Sequence, residues 1–244
     1  MAERKAERSG LTQTEEKELH RVFDHLANYP AKRDIYAILN PKSERRTKII
    51  SHKKSPSVVK IYNASNQTLS EEEIDEEFKR LDEECKEGEA QIAALDNNPD
   101  RKIRPIDLQE CLKDLGRPCS KKEIADMIWE VDENLDGQVD WNEFYLMFVR
   151  NINDSSGLEP SQLFSVVQFM MFDKDGGGTV SADECMEMIY MRYGKDQLEA
   201  KMADLFAADD GDGELSFAEY LEATNIRLRK KKARPGRKYW RRPA

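Results

Sequence analysis

The stretch Asp132 to Glu143 reads DENLDGQVDWNE, with oxygen-bearing side chains at its first, third, fifth, ninth and twelfth positions. Gly137 stands sixth and the β-branched Val139 eighth. Forty-one residues on, Asp173 to Glu184 repeats the plan as DKDGGGTVSADE, again with glycine sixth, valine eighth and glutamate twelfth. Two copies of one twelve-residue pattern make an internal repeat, so the fold is to be read as a repeated unit.

The spacing has a chemical reason. A hard divalent cation such as calcium takes about six to eight oxygen ligands, and one short loop must wrap around it to supply them. Side chains at positions one, three and five converge from successive residues of a turn. Glycine at the sixth tolerates the positive φ that the reversal demands. The seventh residue offers its carbonyl, and the terminal glutamate closes the sphere with both carboxylate oxygens. The ligands expected in the first stretch are Asp132, Asn134, Asp136, the Gln138 carbonyl, Asp140 (through water) and Glu143. In the second they are Asp173, Asp175, the Thr179 carbonyl, Ser181 (through water) and Glu184, with Gly177 leaving the fifth place to water.

Helices are expected on both sides of each loop. Ser120 and Glu123 form a capping-box signature ahead of Ile124, Met127, Ile128 and Val131, which share one helical face. Asp140 and Ser181 each precede a glutamate by three residues and cap the outgoing helices.

These residues resemble the EF-hand superfamily, in an arrangement most similar to calmodulin and troponin C. The resemblance covers roughly residues 70–228 and implies an all-α fold of four helix–loop–helix units, paired into two lobes, with extended basic arms at both termini. It also implies a partner for each loop. Asp96 begins DNNPDRKIRPID, 36 residues before Asp132, but Arg101 replaces the glycine, Arg104 stands ninth and Asp107 replaces the closing glutamate. That window reads as a metal-free structural hand. The partner of the second loop lies in AADDGDGELSFAE, where two registers compete: one starts at Ala208, which cannot ligate, and the other at Asp209 leaves the loop a residue short. Its candidate ligands are Asp209 or Asp210, Asp212, the Glu214 carbonyl and Glu219.

Charge organises the rest. The chain of 244 residues carries a formal −9, yet residues 1–70 hold 14 basic and 8 acidic side chains, residues 71–224 hold 15 and 40, and residues 225–244 hold 10 and none. An acidic body thus lies between two basic segments. The domains expected are an N-terminal arm over 1–69, a first lobe over 70–150, a second over 158–226 and a basic tail over 227–244, with NINDSSG at 151–157 as a turn-rich break. In the arm, Leu19, Val22, Phe23 and Leu26 mark an amphipathic helix over 13–27, and Ile35, Ile38 and Leu39 a second short one. Residues 42–62 are basic without periodicity, and by composition order only against a partner. The last helix is expected to continue through Lys232 and stop at Pro235.

The four cysteines show no paired spacing, and with three histidines they read as reduced thiols of a cytosolic protein. The N-terminus lacks the apolar core of a secretory signal. No phosphate-cradling glycine loop, nucleophile motif or Cys–His arrangement points to catalysis, so the chain is not expected to be an enzyme. Met170, Met171, Met186, Met188, Met191 and Met202 gather around the last two hands, either to receive a partner helix or simply to pack the lobe. The expected role is calcium binding with protein contacts, as a calcium-responsive or structural subunit held on a cytoskeletal assembly by its basic arms. The expected setting is the cytoplasm, with a ciliary microtubule assembly as the analogue. The alternatives are a free sensor or buffer acting on an enzyme target, and a nucleic-acid or membrane binder regulated by calcium.

Overall fold

The computed structural model describes residues 11–56, 60–63, 67–154, 156–208 and 211–232, with side chains to Thr224. Contacts group the described residues into two compact units, Ala27–Lys102 and the residues on either side of it.

The unit Ala27–Lys102 is a long helical hairpin. Pro30 stands in the first turn of the helix Tyr29–Lys54, where its missing N–H costs nothing. The partner helix, Glu71–Asp96, opens on a capping box between Ser70 and Glu73. In chain order these are α2 and α3, following α1, Gln13–Leu26. The expected short second helix is therefore corrected to one of 26 residues that takes in most of the basic stretch over 42–62. The reason is charge complementarity across the hairpin. Lys42 pairs with Glu84 at 2.8 Å, Arg45 with Glu77 at 2.9 Å, Arg46 with Asp82 at 3.2 Å and Lys53 with Asp75 at 2.6 Å. Part-exposed pairs of this kind stabilise by only about 0.2–1 kcal/mol each. The larger contribution is apolar: Ile49, Ile61, Ile74 and Leu81 form one buried cluster, and Leu39, Cys85 and Ile92 another. Gly88 lets the helices close on each other there, since a Cβ at that position would meet Leu39 Cδ1 at 3.0 Å.

The other unit holds α1 and the remaining elements. These are α4 (Pro105–Asp114), α5 (Lys121–Trp129), α6 (Trp141–Asn153), α7 (Gln162–Phe172), α8 (Ala182–Tyr193), α9 (Lys195–Leu205) and α10 (Phe217–Lys232). Two three-residue strands, β1 (Thr179–Ser181) and β2 (Glu214–Ser216), pair antiparallel. The fold is all-α apart from this ladder. The caps expected at Ser120, Asp140 and Ser181 are all formed, each accepting from the N–H of the glutamate three residues on.

Helix α7 is the centre of the unit. Its sequence QLFSVVQFMMF is apolar nearly all round, and such a helix is stable only when covered on several sides. It packs against α1, α5, α6, α8 and α10. Phe164 of α7 meets Phe148 of α6 at 5.1 Å between ring centroids, and Phe169 meets Phe217 at 5.1 Å. Helices that precede and follow α7 in the chain thus share one core. Met170, Met171 and Met188 lie in it, whereas Met186 and Met191 are exposed.

Of the break expected at 151–157, residues 151–153 belong to α6 and the turn begins at Asp154. Asp154 organises it by accepting from the Ser156 hydroxyl at 2.6 Å and from the N–H groups of Ser156, Gly157 and Glu159. The Ser156 hydroxyl, with those N–H groups, holds the Asp154 carboxyl well below the usual carboxylate range. Its contribution is present above the ordinary pKa of aspartate and lost only as pH falls through the depressed value. Burial pushes the thiols of Cys111 and Cys185 up to about 12, which keeps them protonated. No helix among the described residues is long and apolar enough to cross a membrane.

Candidate metal centre

Backbone geometry separates the four loops before any ligand is considered. In the loop 132–143 the fourth and sixth positions are left-handed, Leu135 with φ 61° and Gly137 with φ 78°. The loop 173–184 repeats this with Gly176 at 74° and Gly178 at 82°. The fourth loop shows the same pair at Gly211 and Gly213, which are fourth and sixth only if the loop begins at Ala208. The ladder agrees, pairing Val180 with Leu215, each then eighth in its loop. Of the two registers open in the sequence, the structure takes the one starting at Ala208. Helix α9, which enters this loop, has no buried residue: Leu198, Met202 and Leu205 are half-buried, while Ala200 and Asp204, which this register was expected to turn to the core, are exposed. The first loop differs. Ile103 and Val139 form the matching bridge, but neither Pro99 nor Arg101 is left-handed.

In loop two, Asp132 and Glu143 are buried, and their hydrogen bonds are to the loop's own backbone. Asp132 accepts from Asp136 N–H at 3.2 Å and Gly137 N–H at 2.8 Å. Asn134 accepts from Asp136 N–H at 3.0 Å, and Asp136 from Gln138 N–H at 2.9 Å. Glu143 spans the loop: one oxygen takes the N–H groups of Glu133 and Asn134 at 3.0 and 3.1 Å, the other that of Asp140 at 2.9 Å.

Loop three is built alike. Asp173 accepts from Gly177 and Gly178, Asp175 from Gly177, and Glu184 from Lys174 on one oxygen and from Ser181 on the other. Asp173, Asp175 and Glu184 bring one oxygen each within 4.8 Å of one another. Among the described residues no set of loop-two acids reaches that spacing. Thr179 begins β1, and its hydroxyl donates to Glu214 at 2.7 Å. Burial pushes the Asp173 carboxyl up, against the pull of the Gly178, Gly177 and Gly176 N–H groups. Burial acts on Glu184 too, but the hydrogen bonds from Ser181, Lys174 and Asp175 prevail and hold it below the usual range.

The other two loops differ from these. Asp96 is bound by Lys32 and lies in the hairpin unit. Asp107, fully buried, takes a fork from Arg104 at 2.7 and 2.9 Å together with the Arg104 N–H at 2.8 Å. Lysine and arginine hold the acids that open and close this window. These partners were missed in the sequence: Arg104 is three residues from Asp107, whereas Lys32 has no local signal. In loop four, Asp212 accepts from Glu214 N–H at 2.9 Å and Glu219 from Ser216 N–H at 2.9 Å, while Glu214 lies on β2. Asp209 and Asp210 lie outside the described residues. With Ala208 first, the loop has no opening carboxylate.

The donor sets of loops two and three fit calcium. They are all oxygen, four carboxylates in one and three in the other, on a backbone already reversed at its fourth and sixth positions. Comparison with known proteins agrees. Residues 99–151 match the family model of the EF-hand domain pair. A protein of Oryza sativa subsp. japonica named as calmodulin-like is 28% identical over 132 residues, 53% of this chain and 76% of its own length. One of Arabidopsis thaliana, named as calcium-binding, is 28% identical over 138 residues, 56% of this chain and 72% of its own.

Proposed function

We propose that this calcium-binding, calmodulin-like EF-hand protein holds one ion in each of loops two and three and acts by docking on a larger protein assembly. Asp132, Asn134, Asp136, Asp140 and Glu143 would hold one ion, and Asp173, Asp175, Ser181 and Glu184 the other, with carbonyls from Gln138 and Thr179. Calcium supplies a compact double positive charge that relieves the repulsion among the gathered carboxylates. Affinities of such loops fall on the order of 10⁻⁷–10⁻⁵ M.

The observation that carries the docking role is the charge of residues 225–244, ten basic side chains without an acid, beginning on α10, which runs to Lys232 as expected. In the N-terminal segment Lys42, Arg45, Arg46 and Lys53 pair with α3, so the tail, rather than these four, is taken as the main anchor. A dense basic helix suits an acidic protein surface, and we take a cytoskeletal one, a microtubule of a cilium, as the target. Residues 233–244, with Tyr239 and Trp240, lie outside the described residues.

Two measurements test this reading. Calorimetry of the full chain should give two calcium ions, and one after either Glu143→Gln or Glu184→Gln; no binding sinks the metal assignment. Microtubule co-sedimentation should be lost on deleting 225–244, and co-sedimentation that survives the deletion rejects the tail as anchor. A second reading, regulation of an enzyme target, is favoured by a cleft of about 410 Å³ lined by Phe148, Phe164, Met171, Phe172, Met188 and Ile189. It requires a target that binds with calcium and without the tail.

A further inference from the structure

Helix α1 precedes the hands in sequence, yet it grips one of them on both sides of its metal loop. Its apolar face, Leu19, Val22, Phe23 and Leu26, is buried in the unit built around α7. From that seat Arg21 Nη2 donates to the carbonyl of Met170 at 2.7 Å and to that of Asp173 at 3.4 Å. These carbonyls end α7, and Asp173 opens loop three. On the far side of the loop, Arg192 in the last turn of α8 is ion-paired with Glu15. Glu15 is itself buried and fixed by the N–H and hydroxyl of Thr12, at 2.9 and 3.1 Å. One helix therefore ties the incoming α7 to the outgoing α8.

Between those tied helices lie Asp173, Asp175 and Glu184, converged within 4.8 Å. Bringing carboxylates together is electrostatically unfavourable, and something in the fold has to hold them there. A site held in its binding geometry takes its ligand more tightly, because the ordering cost is already met. We propose that Arg21, Glu15 and Arg192 are positioning residues for calcium in loop three: through them α1 fixes the angle between α7 and α8 at which the acids converge. By linkage, calcium in loop three tightens the seat of α1 by the same factor. This rests on the reading of loop three as a calcium site.

Charge alone gives the opposite sign, which makes the idea testable. Arg21 and Arg192 are cations near an acidic site, so by electrostatics their removal would strengthen calcium binding. Removal of a clamp weakens it. The experiment is a calorimetric calcium titration of the full chain with Glu143→Gln, so that loop three alone reports. Arg21→Ala and Arg192→Ala are each expected to weaken binding about five- to tenfold, within the usual span of coupling between sites. Arg21→Lys, able to reach one carbonyl, should recover part of the loss. The same variants with Glu184→Gln, where loop two reports, should keep their affinity. Unchanged or tighter binding in loop three overturns the clamp, as does an equal loss in both loops, the mark of general loosening. If loop three takes no calcium with Arg21 and Arg192 in place, the calcium reading fails first and the clamp with it.

Discussion

Leu135 is the one residue of the metal loops held in a conformation its side chain opposes. It has φ 61° and is 74% exposed, so nothing packs against it in return. Left-handed backbone costs a residue with a Cβ about 1–2 kcal/mol. Glycine gives back about 0.5–1 kcal/mol of that through its freer unfolded chain. Leu135→Gly should therefore stabilise the protein by about 0.5–1 kcal/mol, read as a shift in denaturant midpoint, and a loss of stability would mean that Leu135 makes a contact here unrecognised. The reversed backbone of the loops was legible because its glycines stand at fixed distances along the chain from the opening aspartate. The lysine bound to Asp96 was not, because it comes from 64 positions away and follows no spacing rule.

The α2–α3 hairpin shows the same limit in whole helices. α1, α5 and α6 could be read from their own periodicity and caps, because the signal for each lies within it. α2 could not: its basic half is balanced by acids of α3 some thirty residues on, and it carries few apolar positions of its own. What holds the pair is a mixture of small ionic terms and two apolar clusters, and the two respond differently to salt. Raising ionic strength from about 0.1 M to about 1 M shortens the screening length from about 10 Å to about 3 Å. Amide-exchange protection over residues 45–50 should fall by about tenfold, while that of α6 is unchanged. Equal protection at both salts would leave the apolar clusters as the sole support. The register of the fourth loop was likewise undecided in the sequence and became fixed only through the ladder between Val180 and Leu215.

Across the molecule, the unit around α7 depends on α1 as much as on the hands themselves. Phe23 is 1% exposed and meets Trp141 and Phe144 at 5.3 and 5.2 Å between centroids. Phe23→Ala leaves a cavity between α1 and α6 and should cost about 3–5 kcal/mol in chemical unfolding. A cost below about 1 kcal/mol would show that α1 is dispensable to the core. A turn-rich break was expected at 151–157 between two lobes; α7, which follows it, is apolar nearly all round and packs against helices both before and after it. The shared core is a property of how the helices meet, which no single stretch displays.

The ionic closure of the first loop by Lys32 and Arg104 reaches beyond that loop. Steep response to a messenger needs two sites that fill together, and the bridge from Ile103 to Val139 would be the natural route for it. With Lys32 on Asp96 and Arg104 on Asp107, that loop is expected to leave its partner without a second ion to cooperate with. Loop three stands in the same position beside a loop that opens on alanine. Such a chain is expected to grade its occupancy smoothly with calcium: a dimmer, where four fully equipped hands would make a switch.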